Sequence, residues 1–475
     1  MDDSETLRRL RRYESRNVTY IDPAGGWPIV WEKAKGLWVE DDQGRRYLDL
    51  TAAFGVAACG HANPAVVAAG KRQMSKLLHA MGDVHPHALK AQLAEELVNL
   101  TFGWWETRNG SSSSASAGKV IFGTSGSESV EIALKTALLA TGRPGIIAFE
   151  GGYHGLGYGA LAGTHRGLFR DHFRSQLREF GHFVPYPRCG DCNCPGWPFG
   201  KCDGMVAILE RMDRIASTEP IGAVLVEPIQ ARGGIRIPAR DFLPRLRDWC
   251  DRHGALLILD EIYTGFGRTG TWFATDRVGV VPDLICLGKA LTGGFPLSAC
   301  VGKTAVMDAW PPSQGEAIHT STYLGHPVGC AMALAQIKEL RKGRWVEHCE
   351  EMGQLVAMHL SSIPATIGSY SLLPRHQGLM IGIEIRNSEN RPEPKIALAA
   401  VKELLAQGYI VLPEGEFGEV ISLTPPLIIS WNQLKKALVA VTDVIRETIV
   451  REIADLKAAA KKAKKKKRDE KASTP

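Results

Sequence analysis

The sequence predicts an α/β protein: a large domain built on a mostly parallel sheet, with a smaller α+β domain assembled from both chain ends. Three observations carry this prediction. Between about residues 60 and 330, short apolar runs alternate with glycine turns, polar loops and helical patterns. The runs include Val120-Ile-Phe122, Gly145-Ile-Ile-Ala-Phe149, Ala223-Val-Leu-Val226 and Ala255-Leu-Leu-Ile-Leu259. Continuous apolar strands separated by helices belong to a sheet covered on both faces. The C-terminal third changes character, with an alternating strand at Leu379-Met-Ile-Gly-Ile-Glu-Ile385 and amphipathic helices around 395–407 and 431–455. Finally, 475 residues make two or three domains the expectation from length.

The expected organisation is therefore an N-terminal segment of the small domain at 1–55 and the large domain at 56–330. The C-terminal part of the small domain follows at 331–456, and a basic, disordered tail at 457–475. Arg108-Asn-Gly-Ser-Ser-Ser-Ser-Ala-Ser-Ala-Gly-Lys119 interrupts the large domain as a low-complexity loop. Its Asn-Gly-Ser is a chance match to a glycosylation acceptor.

Hydrophobic content of 44% and charged content of 23% are those of a soluble globular chain. No run approaches the ~18 apolar residues of a membrane span. The N-terminus lacks the apolar core of a signal peptide, and its acidic residues argue against a mitochondrial presequence. The net charge of +6 belongs to the tail: Lys457–Pro475 holds nine Lys/Arg against two Asp/Glu, leaving −1 for the rest. The body makes no electrostatic case for nucleic acid, and the tail reads as a solvated helix end capable at most of a weak contact.

Ten cysteines are too few for a disulfide scaffold in a chain of this length. Six (Cys59, Cys250, Cys286, Cys300, Cys330, Cys349) sit in apolar contexts and read as buried small side chains, which fits a reducing cytoplasm. Cys189, Cys192, Cys194 and Cys202 form a cluster that could bind structural zinc, stay reduced, or form a redox disulfide.

The chemistry gathers at predicted strand ends. Gly123-Thr-Ser-Gly-Ser-Glu-Ser129 follows a strand and opens a helix, where free N–H groups and the hydroxyls of Ser125 and Ser127 suit a phosphate. Serine N-capping is the simpler reading of the same residues. No Walker lysine is present, which argues against a nucleoside triphosphate. Tyr153-His-Gly155 offers an aromatic face after another strand. Asp260 ends a buried strand, at the edge where open parallel sheets bind ligands. Lys289 lies 29 positions later among Leu287, Gly288, Ala290 and Leu291. A lysine held by small and apolar residues loses hydration, so its amine deprotonates more easily and becomes a nucleophile. A phosphate cradle, an aromatic plate, a strand-end aspartate and a desolvated lysine together suggest pyridoxal phosphate.

With these residues the chain resembles the class III pyridoxal-phosphate-dependent aminotransferases of fold type I. Ser125-Gly-Ser-Glu-Ser129, Glu227-Pro-Ile-Gln230, Asp260-Glu-Ile-Tyr-Thr-Gly-Phe-Gly-Arg-Thr-Gly270, Gly288-Lys289 and His319-Thr-Ser-Thr-Tyr323 carry the likeness, which runs from about Gly36 to Glu447. The resemblance implies a seven-stranded-type sheet in the large domain and a homodimer with active sites at its interface. It implies that Ser125, Gly126 and Ser127 hold the phosphate, and that Tyr153 and Ile262 pack on the two ring faces. Asp260 would bond the ring nitrogen, Lys289 would form the Schiff base and then shuttle the proton, and Thr322 would reach the neighbouring subunit's phosphate. The implied reaction moves an amino group from an amine or ω-amino acid to an α-keto acid. A racemase, aminomutase or decarboxylase on the same scaffold, or a non-catalytic cofactor-binding protein, is the alternative.

Two departures bear on the substrate. Ser422 stands where many family members place an arginine that holds a substrate carboxylate and pairs with the glutamate matching Glu227. A hydroxyl cannot replace a bidentate guanidinium. Either Arg232 or Arg166 reads the carboxylate instead, or the donor lacks an α-carboxylate. Tyr263 stands where glutamine is frequent, which alters the contact to the ring hydroxyl.

Overall fold

The computed structural model describes residues 4–23, 25–108, 110, 117–187 and 204–472. The four clustered cysteines, Cys189, Cys192, Cys194 and Cys202, lie outside the described residues, as does most of the serine-rich stretch. Among the described residues no group of His, Cys, Asp and Glu is arranged to hold a metal ion. No described helix is long and apolar enough to cross a membrane.

Near the N-terminus, β1 (Trp31–Lys35), β2 (Trp38–Asp41) and β3 (Arg46–Asp49) form an antiparallel meander. The central sheet has seven strands: β4 (Gly118–Gly123), β5 (Gly145–Phe149), β6 (Gly181–Val184), β7 (Ile221–Val226), β8 (Leu256–Asp260), β9 (Leu284–Leu287) and β10 (Ser298–Lys303). Their spatial order is β4-β10-β9-β8-β7-β5-β6. Neighbours pair in parallel except around β10, which is antiparallel to both β4 and β9. The link 288–297 is shorter than the dozen or so residues that a parallel crossover needs, so β10 must return. Every residue of β5, β7 and β9 is buried, which is why these segments read as unbroken apolar runs.

Alternation still assigns the faces. Ala223 and Leu225 pack with Val130, Ala133 and Ala137 of the helix Gly126–Thr141. Val224 and Val226 pack on the opposite side with Met212, Leu246 and Trp249 of the helices Gly204–Thr218 and Phe242–His253.

A second sheet, antiparallel throughout, comprises β11 (Thr366–Ile367), β12 (Tyr370–Gln377) and β13 (Met380–Arg386). The next strand, β14 (Tyr409–Ile410), leaves this sheet and pairs in parallel with β3, joining the two chain ends. The hairpin β15 (Leu412–Glu414) and β16 (Val420–Leu423) completes the order β11-β12-β13-β16-β15. The helix Trp431–Ala472 buries Leu434, Leu438, Val441, Ile445 and Ile449, one stripe at helical spacing. It continues through the basic run, in contrast to the disorder expected from Lys457, because alanine and lysine favour helix.

One carboxylate ties the central strands at the edge away from Asp260. Asp283, just before β9, accepts from the Leu257 N–H at 2.8 Å, from Arg247 at 2.7 Å and from Lys303 at 2.8 Å. Burial alone would raise its pKa, but Lys303 and Arg247 outweigh burial and hold it below the ordinary value. A depressed carboxylate stabilises the fold above its unfolded pKa, and that stability is lost as pH falls through the lowered folded value. Asp283→Asn is expected to cost about 3 kcal/mol at neutral pH, the low end for a broken buried pair because Lys303 is partly exposed. Urea unfolding measured against pH checks this, and the gap to the parent should close below about pH 4.

Candidate active site

The carboxyl ends of β4, β5, β7, β8 and β9 point to one edge of the sheet. There they deliver Ser125–Ser127, Tyr153 and His154, Glu227, Asp260 and Lys289. In an open α/β sheet this edge is where ligands bind, because loops replace the hydrogen-bonded ladder and leave room for side chains.

Lys289 starts a tight turn and has φ +39°, in the left-handed region that a lysine rarely occupies. Its Nζ lies 4.6 Å from the centre of the Tyr263 ring and meets no hydrogen-bond acceptor among the described residues. Burial lowers the pKa of this amine below the ordinary lysine value, although Asp260, Glu227 and Glu414 act in the opposite direction. Tyr263 itself is pushed up to about 12 by burial, and its hydroxyl pairs with Thr424 at 3.0 Å.

Asp260 is fixed from two sides. His154 Nδ1 lies 2.7 Å from Oδ2, and the Ile262 N–H donates to Oδ1 at 3.1 Å. His154 is in turn held by its backbone N–H, which donates to Thr164 at 2.9 Å. The sequence reading passed over His154. Its signal was present, since it sits between a strand-end tyrosine and a glycine.

Glycines keep the floor of the site open. A side chain at Gly155, φ +118°, would lie 2.5 Å from the side chain of Ser127, and one at Gly126 would press on Ile262 at 3.0 Å. Ser125 caps the helix Gly126–Thr141, accepting from the Glu128 N–H at 3.2 Å, and Ser127 Oγ accepts from the Gly157 N–H at 3.0 Å. The N-capping reading therefore holds for Ser125. The N–H groups of Gly126 and Ser127 stay outside the helix ladder at its positive end, where a phosphate could bind.

Among the described residues Glu227 makes no side-chain ion pair with an arginine. Its carboxylate accepts from the backbone N–H of Tyr153 at 2.9 Å and of Ala231 at 3.1 Å, and burial raises its pKa to about 7. Arg232 lies over the Tyr153 ring at 5.2 Å, with its Nε 3.9 Å from Glu414. Arg166 lies over Phe169 at 5.4 Å and donates to the Glu416 carbonyl at 2.8 Å.

Ser422 is buried on β16, on the same face as Val420, which packs on Gly234, and Thr424, which meets Tyr263. Glu414, paired with Val420 across the hairpin, shares that face and was not foreseen, because a glutamate beside a glycine turn reads as surface. Thr322 is exposed and stands apart from this cluster within the chain.

The donor set fits pyridoxal phosphate. A helix N-terminus beside a glycine-lined floor suits its phosphate, a histidine-held carboxylate suits its ring nitrogen, and a desolvated amine without an acceptor suits its aldehyde.

Comparison with known proteins agrees. A family model described as aminotransferase class-III matches residues 20–445. An acetylornithine aminotransferase of Methanopyrus kandleri is 36% identical over 422 residues, covering 88% of this chain and 95% of the relative. A 4-aminobutyrate aminotransferase of Escherichia coli is 33% identical, covering 94% and 99%. Among solved structures, a Bacillus anthracis aminotransferase superposes with TM-score 0.81 at 26% identity, covering 94% of this chain and 100% of that one. A pyridoxal-phosphate-bound amine transaminase from an uncultivated Pseudomonas species gives TM-score 0.78 at 27% identity, covering 93% and 98%. With its strand-end site and these relatives, the chain belongs to the class III aminotransferases, pyridoxal-phosphate enzymes of fold type I.

Proposed function

We propose that this transaminase takes its amino group from an amine or ω-amino acid, without gripping an α-carboxylate, and passes it to an α-keto acid. The observation that carries this reading is Ser422, buried on β16 on the face it shares with Val420 and, across the hairpin, Glu414. At that position the chain offers a hydroxyl in place of the bidentate guanidinium that would grip an α-carboxylate.

Bound pyridoxal phosphate supplies an aldehyde that condenses with amines and a ring that accepts electron density. The N–H groups of Gly126 and Ser127 would hold its phosphate, with Ser125 fixing the helix start. Tyr153 and Ile262 would confine the ring. Asp260, oriented by His154, would keep a proton at the ring nitrogen. Lys289 Nζ would carry the cofactor between turnovers, and would then take and return the proton at the donor carbon bearing the amine.

The working unit in this reading is a homodimer in the cytoplasm. Exposed apolar Leu78, Met81, Val84, Ile318 and Tyr323 form surface suited to a second copy, with Thr322 among them. Six buried free thiols are consistent with a reducing compartment. The named relatives lend no support to a racemase, aminomutase or decarboxylase.

Donor specificity is tested by following the cofactor absorbance as single donors are added. Primary amines and ω-amino acids should convert the band at least tenfold faster than ordinary L-α-amino acids, and the reverse order would overturn the reading. Lys289→Ala should lower turnover about 10³-fold or more while leaving the fold intact by circular dichroism. Thr322→Ala should weaken cofactor retention in equilibrium dialysis, with sedimentation reporting a dimer for the parent protein.

A further inference from the structure

Arg232 and Glu414 form the loosest contact in the site. Glu414 is 5% exposed, and its Oε2 has no hydrogen-bond partner among the described residues. Arg232 Nε, 3.9 Å away, has none either. That separation exceeds a hydrogen bond, so two groups withdrawn from water hold each other by charge alone.

Their freedom to move differs. The Arg232 side chain is 36% exposed and rests on the Tyr153 ring, so it can turn toward solvent. Glu414 is fixed by strand pairing with Val420 and by the next residue, whose N–H donates to the Arg232 carbonyl at 3.1 Å. The other charged groups facing Glu414 are Arg166, Lys289 and Glu227. Arg166 is occupied by the Glu416 carbonyl and Phe169, Lys289 belongs to the cofactor side, and Glu227 carries the same charge as Glu414. The carboxylate is thus buried, aimed into the site and without a committed donor.

We propose that Glu414 binds a distal ammonium of the amino donor, which makes the preferred donor class an aliphatic diamine. The incoming ammonium takes the position beside Glu414 that Arg232 holds at a distance, and Arg232 turns outward. Tyr153 and Tyr263 provide apolar surface for the methylene chain. Burial raises Glu414 to about 7, and a bound cation relieves that cost. This inference rests on the amine-donor reading above.

The test compares kcat/KM of the holoenzyme for 1,5-diaminopentane, 5-aminopentanoate and 1-aminopentane, in the parent and in Glu414→Gln. The diamine should exceed the monoamine at least tenfold in the parent, and the ratio should fall at least tenfold in the variant. Calorimetry with a bis-tertiary 1,5-diamine, which carries both cations but has no transferable amine, should show at least tenfold weaker binding to Glu414→Gln. Cofactor absorbance and circular dichroism report whether the variant is folded and loaded. A diamine no better than the monoamine, an unchanged ratio, or equal binding of the tertiary diamine overturns the role of Glu414 while the amine-donor reading stands. Failure of all three donors, with L-α-amino acids active, overturns both.

Discussion

Taking the Lys289 amine out of water is the condition on which the rest of the site depends. A solvated lysine is a cation at neutral pH and a poor nucleophile, so its surroundings must penalise the charge. Burial does this, while Asp260, Glu227 and Glu414 act against it. The balance is workable because each carboxylate is itself restrained. Asp260 is bound to His154 and the Ile262 N–H, and Glu227 is bound to two backbone N–H groups. Burial moves Glu227 and Glu414 to about 7, within reach of neutrality.

The fold supports this balance from behind. The carboxyl ends of the neighbouring strands β5, β7, β8 and β9 meet at one edge because these strands run in parallel, and β4 joins them from across the antiparallel β10. Asp283 secures the opposite edge, so the two ends of β8 and β9 differ: one presents the candidate site and the other anchors the strands.

Much of this was legible in the sequence, and the reasons are local. Asp260 and Lys289 follow apolar runs, and such runs are strands whose ends are predictable from hydrophobicity alone. The glycines around Ser127 announce a close approach, which is the one made to Gly155. Glu414 and the looseness of its contact with Arg232 were not legible. They depend on a hairpin folding back so that a residue beside a glycine turn points inward, a long-range event without a local pattern. The antiparallel course of β10 is also set by connection length rather than by composition. The terminal helix outruns the disorder expected of its basic end, because charge patterning and helix propensity disagree there.

Arg375 of β12 donates to the Ile235 carbonyl at 2.8 Å and the Gly234 carbonyl at 3.1 Å, and its guanidinium pairs with Glu384 at 2.7 Å. The loop that bears Glu227 and Arg232 is therefore bolted to the second sheet as well as to the end of β7. Glu414 belongs to that same second sheet. Motion of the second sheet would carry the backbones of Arg232 and Glu414 together, so that only the swing of the Arg232 side chain changes their spacing. The far-end pocket proposed above would then open by the swing of one side chain, on a backbone frame that moves as a unit relative to Lys289.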